Sequence, residues 1–152
     1  MMGGGQQQLQ QLSQELQALD EEIETLKAEV ESHREEQADI DDAVEAIETL
    51  ETGATVQVPL GGGAYVRAEV QEIDEIIVSL GGNYSAEQPQ EDAIDVLRRK
   101  QDALDDRIEE TQAEIDELES ESDELEQQAQ QMQQQMQQQQ MQQMQQGQDD
   151  GE

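Results

Sequence analysis

The residues of this chain that could do chemistry are few and poorly placed for it. The single histidine, His33, falls on a stripe of seam-spaced positions and reads as a packing residue, not a general base or a metal ligand. Carboxylates stand in adjacent pairs, as at Glu21-Glu22 and Asp41-Asp42. Neighbours in a helix point in different directions, so such pairs cannot share a proton or grip one substrate. Nothing around them suggests a dry pocket that would shift their pKa values, and no EF-hand spacing is present. Cysteine is absent, which rules out a disulfide framework and a thiolate metal site. Gly61-Gly62-Gly63 lacks both the later Gly-Lys-Ser/Thr of a phosphate loop and the GxGxxG spacing. The expectation is therefore no enzyme, no catalytic residue, no cofactor and no metal. Non-covalent chemistry remains. Leu9 and Leu12 near one terminus, and Met132, Met136, Met141 and Met144 near the other, are apolar, and methionine suits surfaces that bind many sequences. Two readings of them stay open. Leu9, Leu12 and Met132 could close a helix seam, and the later methionines sit in a glutamine-rich, low-complexity tail.

The elements that carry these residues follow from composition and periodicity. The chain has 152 residues, with 39 Asp plus Glu against 7 Lys plus Arg and a formal charge of −32. A direct nucleic-acid partner is disfavoured, because binding phosphates needs clustered cations. Four of the seven cations, Arg98, Arg99, Lys100 and Arg107, share one segment. Asp95 and Asp102 lie one turn away, a spacing typical of a solvated helix face. The acid excess with only two lysines, Lys27 and Lys100, resembles the bias of salt-loving archaea. A Debye length of ~3 Å at 1 M salt removes the self-repulsion of such a chain. Aromatics are limited to Tyr65 and Tyr84, so a globular core is not expected and stability must come from apolar seams. No apolar run reaches membrane-spanning length. The Met-Met-Gly-Gly-Gly-Gln start lacks the pattern of a signal peptide. A cytoplasmic protein without a membrane partner is expected.

The seams are explicit. Leu9, Leu12, Leu16, Leu19, Ile23, Leu26 and Val30 recur at alternating steps of three and four, and Ile40, Val44 and Ile47 resume the phase after His33 and Gln37. A second stripe runs Ile94, Leu97, Leu104, Ile108, Ile115, Leu118, Leu125, Ala129, Met132 and Met136, with Gln101, Thr111 and Ser122 as its polar members. This is the heptad signature of a coiled coil. Folding the chain back so that facing residue numbers sum to 141 matches the two stripes: Ile47 with Ile94, Leu26 with Ile115, Leu9 with Met132. In that register each polar seam residue faces an apolar one, for example Gln37 with Leu104 and Gln101 with Ile40. No two polar residues are then expected to share a hydrogen bond, and they read as devices of register and specificity.

Between the stripes the pattern changes period. Val56 and Val58 alternate with polar neighbours. Gly61-Gly62-Gly63 offers a tight turn, and Ala64, Val66, Ala68 and Val70 form one face of a returning strand. Ile76 to Leu80 reads as a third strand. Gly81-Gly82-Asn83 turns again, with a short fourth strand at Tyr84-Ser85-Ala86. Two isolated hairpins cannot enclose a core, and their open edges invite pairing. The insert therefore reads as a joint between subunits, with Val56, Val58, Val66, Val70, Ile76, Val78 and Leu80 as its assembly residues.

At these residues the chain resembles the archaeal prefoldin alpha subunits. "VPLGGGAYVRAEV", "IIVSLGGNY" and "AIDVLRRKQDAL" are similar to that family's central hairpins and the start of its second helix, and the order helix, two hairpins, helix covers the whole chain. The resemblance implies a mainly α fold: a long antiparallel two-helix coiled-coil hairpin with two central β-hairpins that join an inter-subunit β-barrel. The segments would be an N-terminal helix over 1–51, a hairpin assembly region over 52–90, a second helix over 91–138 and a disordered acidic Gln/Met tail over 139–152. It further implies an ATP-independent chaperone in a hetero-oligomer of two alpha with four prefoldin beta subunits. Unfolded client proteins would be held at the coiled-coil tips and passed to a group II chaperonin. The alternative is a coiled-coil scaffold whose hairpins only oligomerise it.

Overall fold

The computed structural model describes residues 3–149. Its order is α1 (Gly3–Thr49), β1 (Thr55–Gly61), β2 (Ala64–Glu69), β3 (Ile76–Gly81), β4 (Tyr84–Gln88) and α2 (Gln90–Asp149). The fold is thus two long helices around two antiparallel hairpins. Two compact units divide it, one of Met1–Val30 with Glu109–Glu152 and the other of Glu31–Ile108.

Local sequence explains where the elements start and stop. α1 is rich in Leu, Glu, Gln and Ala, all good helix formers, and contains no proline. Near its end the Thr49 hydroxyl donates to the carbonyls of Glu45 and Ala46 at 3.2 and 3.0 Å, and Gly53 takes φ 87° just beyond. At the start of α2, Pro89 holds the preceding residue extended and its carbonyl accepts the Ala93 amide at 2.9 Å. Glu91 and Asp92 fill the first turn, where acid complements the helix dipole.

In the first unit, α1 and α2 run antiparallel. Lys27 pairs with Glu119 at 3.4 Å, and Met136 lies against Gly5, its Sδ 3.4 Å from where a Cβ would stand on that glycine. Ile23, Val30 and Ile115 are buried, together with Thr111 and Ser122. In the second unit, Gln37 reaches Gln101 and Asp105, Asp41 reaches Arg98 and Gln101, and the Ile47 carbonyl accepts the Gln90 amide group at 2.6 Å. Val44, Val78 and Ala93 are its buried apolar residues. Within each unit the partner number falls on α2 as it rises on α1, and every expected seam position is buried or half-buried.

Two details differ from the sequence reading. α2 does not stop at 138 but stays helical through Asp149; residues 150–152 of the expected tail lie outside the described ones. Glutamine and methionine are good helix formers, and no proline interrupts them, so low complexity here does not prevent a helix. The seam glutamines also find polar partners. Gln37 and Gln101 sit in adjacent layers, and each side chain is long enough to reach diagonally to the other's backbone.

Candidate functional site

Two regions carry the residues singled out above, and each is built locally. The hairpins come first. β1 pairs with β2, Val58 opposite Val66 and Val56 opposite Ala68; β3 pairs with β4, Val78 opposite Ala86. Both turns use two central residues of positive φ, Gly62 and Gly63 at 59° and 81°, Gly82 and Asn83 at 59° and 67°. This is the turn whose twist matches that of the strands it joins, and asparagine tolerates the left-handed region better than other side chains. β4 extends to Gln88, longer than the three residues expected, because Glu87 and Gln88 pair with Ile77 and Ile76.

The hairpins are held to their own chain unequally. The first is tied at its base, where the Gly53 amide donates to the Val70 carbonyl and the Val70 amide to the Ala54 carbonyl, both at 2.8 Å. The second docks on α2: Val78 is buried and Lys100 donates through Nζ to the Ser79 carbonyl. Of the expected assembly residues, Val58, Val66 and Leu80 are exposed, Val56, Val70 and Ile76 are half-buried, and Val78 is buried inside the chain. The alternation argument missed Leu60, Tyr65, Ile77 and Tyr84, which are 61–75% exposed. A signal for two of them was available: both tyrosines of the chain lie next to the glycine turns.

The terminal region belongs to the other unit. Leu12 and Met132 line one groove with Gln8, Gln11, Glu15 and Gln128, and Leu9 is half-buried. Met136 is half-buried against Gly5. Met141 and Met144 are 71% and 78% exposed. They lie off the phase that Met132 and Met136 continue, which would fall at 139 and 143, and share a patch of α2 with Gln137, Gln140 and Gln143. The six apolar residues thus separate into four that pack and two that face outward.

Among the described residues no buried side-chain polar atom lacks a hydrogen-bond partner. Arg98 donates to Asp41 at 2.8 Å and to the Gln101 side-chain oxygen at 2.7 Å. The Gln101 hydrogen bond and the Arg98 guanidinium hold the Asp41 carboxyl below its ordinary pKa of 3.8. Arg98 therefore joins Asp41 on the other helix to Gln101 on its own. His33 is half-buried, its Nδ1 3.9 Å from Glu36. Among the described residues no group of three His, Asp or Glu side chains is arranged to hold a metal ion, and no helix is long and apolar enough to cross a membrane.

A model of the prefoldin subunit family matches residues 19–142. The chain belongs to the prefoldin family. Among curated proteins, it is 89% identical over 112 residues to the prefoldin subunit alpha of Halorubrum lacusprofundi, covering 74% of each chain. It is 68% identical over 108 residues to that of Halobacterium salinarum, covering 71% of this chain and 70% of the other. Its structure is similar to a chain of filamentous PFD from Methanocaldococcus jannaschii, solved by cryo-EM, with TM-score 0.51 and 28% identity over 77% of this chain and 93% of that one. The resemblance to haloarchaeal prefoldin alpha subunits and the acid excess agree. The chain is a prefoldin chaperone subunit, a type that works in complex with other prefoldin subunits.

Proposed function

We propose that this prefoldin subunit holds unfolded proteins at the terminal end of its coiled coil, without ATP and without a chemical step, and delivers them to a group II chaperonin. Met141 and Met144 carry this reading. They are exposed, apolar and flexible, on a helix face otherwise made of glutamine, and such a surface can repack around many sequences. Leu9, Leu12, Met132 and Met136 contribute the rim of the same end. The hairpins serve assembly: their exposed apolar residues and open edges complete β-barrels with the beta subunits, two alpha with four beta, in the cytoplasm.

The test is a truncation after Glu126, assembled with its beta partners in molar salt and mixed with a chemically denatured client. Assembly mass is expected to stay unchanged while suppression of light scattering is lost. Equal suppression by the truncated and full complexes would refute the holding role and favour a scaffold. A native mass other than that of two alpha with four beta subunits would refute the stoichiometry alone.

A further inference from the structure

We propose that Gln37 and Gln101, with Asp41, Arg98 and Asp105, form a polar clasp that selects one register of α1 against α2. The apolar layers do not make this choice. A slip of one heptad still sets Ile40 against Ile108 and Val44 against Leu104, and the opposite slip sets Ile40 against Ile94 and Val30 against Leu104. Leucine-rich seams tolerate such shifts unless a polar residue penalises them.

The clasp supplies that penalty. The Gln37 side-chain amide donates to the Gln101 main-chain carbonyl at 3.2 Å and to Asp105 Oδ1 at 2.6 Å. The Gln101 side-chain amide donates to the Gln37 carbonyl at 2.9 Å and to Asp41 Oδ1 at 2.8 Å. Both hydrogens of each amide are therefore used, and Arg98 donates to the remaining Gln101 side-chain oxygen at 2.7 Å. A one-heptad slip moves these partners apart by ~10 Å along the helix. It would leave Gln101 opposite Ile47 or His33 and separate the half-buried amides from the Asp41 and Asp105 carboxylates that accept from them, a cost that apolar contacts do not return.

The test uses the absence of cysteine. Leu16→Cys with Leu125→Cys reports the observed register by forming an intrachain disulfide. Leu16→Cys with Met132→Cys, or with Leu118→Cys, reports the two slips. In the otherwise unchanged full chain, in molar salt, the first pair should crosslink and the others only to a minor, measurable extent. In the Gln37→Leu, Gln101→Leu background helicity should persist while slipped crosslinks rise about tenfold, the factor expected when orphaned donors cease to penalise the slip. Gln37→Asn with Gln101→Asn keeps the polarity and removes the reach, and should give mixed crosslinks at lower melting temperature. An unchanged crosslink pattern in the leucine background would overturn the proposal. So would loss of helicity there, since the clasp would then be a requirement for folding and not a selector of register.

Discussion

Arg98 on α2 donates to Asp41 on α1 at 2.8 Å, and with Gln101 it keeps that carboxyl ionised below its ordinary pKa. A carboxylate whose folded pKa is depressed stabilises the fold above its unfolded pKa, and the contribution fades as pH falls through the folded value. Asp41→Asn should therefore lower the melting temperature near neutral pH. The gap between variant and parent should close as pH falls through the folded pKa, which lies below 3.8. Comparing the two proteins removes the general relief of repulsion that acid brings to so many carboxylates. A gap that stayed constant over this range would show that the pair does not stabilise the fold.

Val44 is 1% exposed. Val44→Ala removes methyl groups from a site already closed on all sides and should cost about 1–3 kcal/mol. The same change at a half-buried seam position such as Leu16→Ala should cost less per methyl removed. Thermal or denaturant melts of the two variants in molar salt would check the order.

The turns make a second stability prediction. Gly82 has φ 59°, a conformation that costs a side chain about 1–2 kcal/mol. Gly82→Val should accelerate amide exchange at Val78 and Ala86, which face each other across this hairpin, and leave the helices protected. Asn83→Gly should be tolerated at the same turn, since glycine adopts the same backbone freely.

Salt should matter more here than in a neutral coiled coil. With a formal charge of −32, lowering ionic strength from about 1 M to about 0.1 M stretches the Debye length from ~3 to ~10 Å. Carboxylates on neighbouring helix faces then repel. Melting temperature and helicity are expected to fall together, and equal values in both buffers would contradict the charge argument.

For the methionines, Met141→Gln with Met144→Gln exchanges one good helix former for another. Helicity should hold, and suppression of client aggregation should weaken. Light scattering with a denatured client would reveal it; full suppression by the double variant would remove these two residues from the site.

Most of this architecture was legible because heptad spacing is a strong signal: each polar and apolar seam position from Leu9 to Met136 is withdrawn from solvent as the spacing requires. What escaped had physical reasons. Treating layers as facing pairs hid the bonds between Gln37 and Gln101, because a glutamine side chain spans more than one layer. Low complexity after 138 suggested disorder, although its residues favour helix. Alternation identified valines on the hairpins but not whether their faces are covered. Val78 is buried, while Leu60, Tyr65 and Tyr84 are exposed.

Met136 stands across from Gly5, and α1 begins at Gly3 while α2 runs on to Asp149. The last turns of α2 thus extend beyond the first described turn of α1, and there Met141 and Met144 face outward. A lone helix so short is near its melting point in water. In the holding role proposed above, a helix end of that kind would exchange pitch for contact and follow the contour of its client.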